Sequence, residues 1–148
     1  MRLQKDLSEF IASLNSHHVD YVLVGGFALA FHGFPRYTGD IDILVRASAE
    51  NAARLAQVIK SFGFGSLGLT ADDFLVPGRV VQLGQPPNRI DILTSITGVG
   101  FDEIWESRVP AELDGVPVCF IDRESFLKNK RATGRLKDKA DLEALGTD

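Results

Sequence analysis

Strand and helix patterns alternate along this chain, which predicts an α/β (α+β) domain: a mixed β-sheet flanked by helices. Two observations carry that reading. Apolar runs only four or five residues long, such as Tyr21–Val24, are followed by segments with apolar residues at helical spacing. The tetrapeptide Ile-Asp-Ile-Leu also occurs twice, at 41–44 and 90–93, each time as one carboxylate set within a strand pattern, which reads as convergence on one strand pattern and not as a repeat.

Leu3, Leu7, Phe10, Ile11 and Leu14 share one face of a helix over 3–15, with His17 and His18 at its C-terminal end, where the dipole suits them. A first strand spans 20–24. Gly25-Gly26 follows, then a short apolar helix, Phe27–Phe31, closed by Gly33. Strand two covers 40–45. Ser48 can cap a helix through Ala52, Leu55, Val58, Ile59 and Phe62, which Gly63 ends. The glycine-rich segment 63–70 is expected to be irregular. Thr70 and Asp73 have the spacing of a capping box for a short helix over 71–75.

Arg79–Leu83 and Arg89–Leu93 read as strands around the turn Gly84–Asn88. Phe101–Ser107 reads as a helix burying Ile104 and Trp105. Residues 110–120 read as a hairpin turning at Asp114-Gly115. Asp122 can cap a helix with Phe126 and Leu127 turned inward. Gly134 breaks it, and a last helix covers 136–145.

At 148 residues the chain is expected to be a single domain, 1–148, with an N-terminal helix in 1–19 and basic helices in 121–148. Apolar residues make up 45% and charged residues 24%, as in an ordinary water-soluble protein. No apolar run is long enough to cross a bilayer, and MRLQKDLSEFIASL is not patterned as a signal peptide. The single Cys119 has no intrachain disulfide partner and is read as a buried thiol. A cytoplasmic location is expected, with no membrane partner.

The net charge of −4 argues against a general nucleic-acid binder. Its distribution is uneven. Between Arg123 and Lys139 seven basic residues face only Glu124 and Asp138, a local excess of five that is either a solvated helix face or a surface for phosphate.

Asp40 and Asp42 are two residues apart on a strand, so their side chains share a face. Aspartate is depleted in strands, and two unpaired acids side by side repel unless a cation lies between them. If the strand bearing Asp91 is a neighbour, three carboxylates meet, an oxygen-rich arrangement suited to Mg²⁺. Gly25-Gly26, between a strand and a helix, can form a concavity whose N–H groups accept a phosphate, although a glycine pair is often only a tight turn.

With these residues assembled, the chain resembles the minimal nucleotidyltransferases of the DNA polymerase β-like superfamily, closest to the small AbiEii-like toxin branch. The resemblance rests on Gly25-Gly26, Asp40-Ile41-Asp42, Asp91, Arg36-Tyr37-Thr38, and the late run containing Lys130, Arg135, Lys137-Asp138 and Asp141. It covers residues 20–145 or so, and it implies the nucleotidyltransferase fold with its carboxylates on adjacent central strands.

The chemistry it implies is transfer of a nucleoside monophosphate from an NTP to an acceptor by a two-metal mechanism. Asp40, Asp42 and Asp91 would be catalytic and would hold two Mg²⁺, for which Mn²⁺ could substitute. Asp91 would also help deprotonate the attacking hydroxyl. Gly25, Gly26, Arg36, Thr38, Lys130 and Arg135 would bind nucleotide phosphates, with Lys128 as the rival to Lys130. Arg36 could instead pair with an acid, and Thr38 could support the loop that presents Asp40. Asp138 would orient Lys130 or Arg135, and His32 is read as shaping its loop.

The expected partners are an NTP, an RNA (tRNA) or protein acceptor, a cognate antitoxin or partner subunit, and a second copy in a homodimer. The chain leaves no room for a large helical acceptor-binding domain, so the acceptor is expected on a partner or an open surface. Two alternatives stand beside this reading: a non-catalytic nucleotide-binding or antitoxin-type interaction module, and a small-molecule (antibiotic) nucleotidyltransferase.

Overall fold

The computed structural model describes residues 5–34, 39–85 and 89–146, without the side chain of Ser66. Its elements run α1 (Lys5–Ser16), β1 (Tyr21–Val24), α2 (Gly25–Phe31), β2 (Ile41–Val45), α3 (Ala49–Ile59), β3 (Val80–Leu83), β4 (Ile90–Leu93), α4 (Phe101–Ser107), β5 (Val109–Leu113), β6 (Val116–Phe120), α5 (Arg123–Thr133) and α6 (Leu136–Ala144). The strands form one mixed sheet in the order β3-β4-β2-β1-β6-β5.

The sheet is built from antiparallel pairs joined through parallel ones. β1 runs antiparallel to β2, and β2 runs parallel to β4. β6 lies parallel to β1 on the other side and makes an antiparallel hairpin with β5. Its turn uses Asp114 and Gly115, both with positive φ (52° and 81°), the backbone a two-residue hairpin turn demands. The central strands β1 and β2 are almost wholly apolar and buried, as strands covered on both faces must be.

The helix ends follow local chemistry. The Ser48 hydroxyl accepts from Asn51 N, and the Asp122 carboxylate accepts from Ser125 N, each satisfying an N–H that the helix leaves unpaired. Gly134 closes α5 in the left-handed region. α3 continues into a wider turn over Lys60–Phe64, in which Gly63 takes a φ of 83°. Thr70 and Asp73 form the expected capping box, on a 3₁₀ turn over Ala71–Phe74.

Leu7, Phe10, Ile11 and Leu14 of α1 and Leu55, Val58 and Ile59 of α3 join the sheet residues in one core. Phe10 meets Phe62 edge to face, with centroids 5.4 Å apart. Two sequence expectations need correction. Cys119 is only half-buried, because Val118 and Phe120 point inward and alternation turns the residue between them outward. Ile104 is buried but Trp105 is half-exposed, its ring covered by the Arg108 guanidinium at 3.7 Å.

Candidate active site

The two Ile-Asp-Ile-Leu segments lie side by side in register. Ile41 pairs with Ile90, Asp42 with Asp91, Ile43 with Ile92 and Leu44 with Leu93, on parallel strands. Apart from Leu93, which is half-buried, the apolar members of each tetrapeptide bury their side chains in the core, and the carboxylates share the remaining position. Asp91 is buried and Asp42 half-buried. Burial, the adjacent Asp91 charge, a hydrogen bond between the two carboxyl groups and Asp40 push the Asp42 pKa up to about 6, against an opposing pull from Lys137.

β1 brings its end to the same place, with Val24 opposite Asp42. Gly25 follows with φ of 68°, and a Cβ built there would lie 2.0 Å from Asp42 Oδ2. Glycine is therefore required twice over, for the backbone conformation and for the space the carboxylate occupies. Gly26 is the next residue, within α2. His32, just beyond α2, has its Nε2 2.7 Å from the Ile121 carbonyl oxygen and so ties the helix to the strand–helix junction after β6.

Arg89 joins these acids. Its Nε and Nη2 donate to Asp91 at 2.8 and 3.1 Å, its Nη2 lies 3.5 Å from Asp40 Oδ2, and its backbone N–H donates to Asp40 at 3.2 Å. One guanidinium thus bridges two of the three acids, and their charge holds the Arg89 pKa above its ordinary value, the hydrogen bonds to Asp91 contributing most. Arg36 and Thr38 lie outside the described residues.

The basic C-terminal segment forms a separate network. Lys130 Nζ is buried and lies 3.2 Å from Asp138 and 3.0 Å from Asp141, above the Phe126 ring. Asp138 is fully buried and also accepts from Thr133 Oγ1 at 2.6 Å and from the Arg135 backbone, Nε and Nη2 at 3.2, 2.7 and 3.2 Å. These partners, Arg135 foremost, hold its carboxyl well below the usual carboxylate range. Lys128 is exposed and pairs with Glu103 at 2.7 Å. The structure therefore gathers Asp40, Asp42, Asp91 and Gly25 at one end of the sheet and places Lys130, Arg135 and Asp138 together in the α5–α6 corner.

The nucleotidyl transferase AbiEii toxin family, of type IV toxin–antitoxin systems, matches residues 6–115. This chain belongs to that family. No curated relative matches it in sequence. Three solved structures share the fold of this AbiEii-family chain at low sequence identity. A Thermotoga maritima protein described as a nucleotidyltransferase (TM1012) is 16% identical with a TM-score of 0.58, covering 93% of this chain and 88% of its own. An antigenic nucleotidyltransferase-like protein of Paracoccidioides brasiliensis is 18% identical, with a TM-score of 0.54 and coverage of 98% and 76%. The lincosamide antibiotic adenylyltransferase LnuA, bound to lincomycin, is 13% identical, with a TM-score of 0.56 and coverage of 99% and 98%.

The acids of this AbiEii-family chain are hard oxygen donors, the type that Mg²⁺ prefers. Among the described residues no group of three or more acidic, histidine or cysteine side chains is arranged to hold a metal ion as it stands. The crowded charge is instead relieved by the raised proton affinity of Asp42 and by the Arg89 guanidinium on Asp91 and Asp40. A divalent cation would displace that proton and that guanidinium, so the donor set fits one once Arg89 releases Asp91. Sequence reasoning passed over Arg89. Its signal was present in the alternation, since residues 89 and 91 of a strand share a face.

Proposed function

We propose that this chain transfers a nucleoside monophosphate from an NTP to a hydroxyl of an RNA, such as a tRNA, or of a protein, as the toxin of a toxin–antitoxin pair. The observation that supports this most is the in-register pairing of Asp42 with Asp91 beneath the close approach of Gly25. Family membership supports the reaction class. The acceptor and the cognate antitoxin partner belong to the proposal alone.

In this reading the acceptor oxygen bonds to the α-phosphorus as the α–β bridging bond breaks, so pyrophosphate leaves with the electron pair. The hydroxyl proton passes to a carboxylate of the cluster, and Asp91 has the role of accepting it. Asp40, Asp42 and Asp91 would hold Mg²⁺, which supplies charge neutralisation for the entering and leaving oxygens. Gly25 and Gly26 leave the backbone bare where the phosphates approach. Burial around Asp42 and Asp91 keeps water from weakening their charge.

The test uses each of the four NTPs labelled at the α-phosphate, with Mg²⁺ or Mn²⁺, against total RNA and soluble protein from a bacterial host. Label should enter one acceptor class, and label at the γ-phosphate should not. Transfer that survives in Asp42→Asn would refute the assignment of the acidic cluster.

A further inference from the structure

The two edges of the sheet are built differently. β5, at one edge, exposes Pro110 and Glu112. Proline has no N–H for a ladder, so Pro110 occupies a position whose backbone faces away from β6, and Glu112, two residues on, faces the same way. An edge with a missing donor and a charge is guarded against a further strand.

β3, at the other edge, carries neither device. Thr94 N donates to the Arg79 carbonyl oxygen at 3.0 Å, so residues 79, 81 and 83 turn their backbone groups toward β4, and Val80 and Gln82 turn theirs outward. Both of those side chains are exposed, Val80 to 52%. The strand Val80-Val81-Gln82-Leu83 has no proline and no charge, and its register with β4 runs without a bulge. The N–H and C=O groups of Val80 and Gln82 form an open template for one more strand.

The ends of β3 select a second copy of this chain as the donor of that strand. Arg79 stands at its start, where one nitrogen, Nη1, meets Asp73 at 2.8 Å; a guanidinium has further donors for another carboxylate. At the other end Leu83, Gly84 and Ile90 line an open pocket that Asp6 and Glu9, both exposed on α1, also line. Lys5 reaches Glu9 only at 3.9 Å, with both side chains exposed, so the pocket keeps its acidic character. The strand is thus basic where it begins and acidic where it ends. Reversed, it is complementary to itself.

We propose that this chain forms a two-fold symmetric dimer through β3, so that two six-stranded sheets join edge to edge as one. One antiparallel register uses every outward group: Val80 opposite Gln82 of the second copy, with Val81 facing its own symmetry mate on the axis. Arg79 then stands opposite Leu83 of the second copy, on the face that holds the acidic pocket. Gln82 pairs with Asp91 within its own sheet, so Val80 of the second copy joins the face that carries the carboxylates. The dimer does not depend on the transferase reading, and neither result decides the other.

Sedimentation equilibrium of the full chain over a range of concentrations should show a monomer–dimer equilibrium. Val80→Lys places a charge on the open edge, and Gln82→Pro removes an outward N–H while sparing the ladder to β4; each should weaken dimerisation about tenfold or more. Asp6→Lys combined with Glu9→Lys should weaken it as well, because Arg79 of the second copy then meets like charge. The Tm of Val80→Lys at a concentration where wild type is monomeric should equal that of wild type. The register has its own readout. Val81 and its mate form a non-hydrogen-bonded pair with Cα atoms about 4.5 Å apart, a spacing that suits a disulfide. In a Cys119→Ser background, Val81→Cys should crosslink as a dimer under mild oxidation, and Val80→Cys and Gln82→Cys should not.

A wild-type chain that stays monomeric at the highest attainable concentration overturns the inference in favour of a strand from another protein. A dimer that persists undiminished in Val80→Lys and Gln82→Pro overturns it too, since the contact then lies elsewhere. Undiminished dimerisation in the Asp6→Lys, Glu9→Lys variant, or crosslinking through residue 80 or 82 in place of 81, overturns the antiparallel arrangement on which it rests.

Discussion

Gly25 and Asp42 are in such close contact that a Cβ on the first would stand 2.0 Å from Oδ2 of the second. The end of β1 and the carboxylate of β2 are thus fitted to each other through a missing side chain. Gly25→Ala should cost about 1–3 kcal/mol of stability, from its φ of 68° and from the displaced carboxylate. Denaturant unfolding measures this. Gly26→Ala, at a position without positive φ, lacks the backbone part of that cost.

Asp42 makes the metal-free protein pH-dependent in an unusual direction. Its pKa is raised to about 6 in the folded state, from 3.8. The folded state therefore holds a proton that the unfolded chain releases between those values, so stability from this group rises as pH falls through 6 toward 3.8. The span is about 3 kcal/mol, and the full penalty is present above pH 6. Asp42→Asn should flatten that rise in melting curves and raise Tm at pH 7.5, while abolishing transfer.

Asp138 acts with the opposite sign. Its pKa lies below the ordinary carboxylate value, so its stabilisation is complete above about pH 4 and is lost on further acidification. Asp138→Ala removes the partner of a buried ammonium and should cost about 3–5 kcal/mol in chemical denaturation. A loss below about 1 kcal/mol would mean that Asp141 alone satisfies Lys130.

Arg89 both stabilises the acidic cluster and occupies it. Arg89→Gln should lower the Tm of the metal-free protein, because Asp91 and Asp40 lose the guanidinium that bridges them. Added Mg²⁺ or Mn²⁺ should then raise Tm by more than in wild type, since Asp91 is free to bind it. Equal metal-induced shifts in the two proteins would show that Arg89 does not compete for the site.

The elements and caps were legible because each depends on residues close in sequence. Ser48, Asp122 and Asp114-Gly115 satisfy or shape backbone within three residues of themselves. The side-by-side placement of the two Ile-Asp-Ile-Leu segments was legible only through the family resemblance, since nothing local sets which strands become neighbours. The phosphate-ligand reading of Lys130 rests on its charge and the family resemblance, and its spacing carries a further signal. Lys130 follows Phe126 by one helical turn and lies on the same inward face, where a lysine must find buried carboxylates. Arg89 was missed for a related reason: a strand-end arginine looks solvated until its neighbour across the sheet is known.

In the proposed reaction Asp42 and Asp91 act together on one divalent cation. Mn²⁺ binding measured by electron paramagnetic resonance, in the presence of an NTP, tests it most directly. Wild-type protein should bind Mn²⁺, and Asp42→Asn and Asp91→Asn should each weaken binding at least tenfold, about 1.4 kcal/mol or more. The double variant should be little worse than either single one, because the two carboxylates form one site. Undiminished Mn²⁺ binding in both single variants would contradict the account.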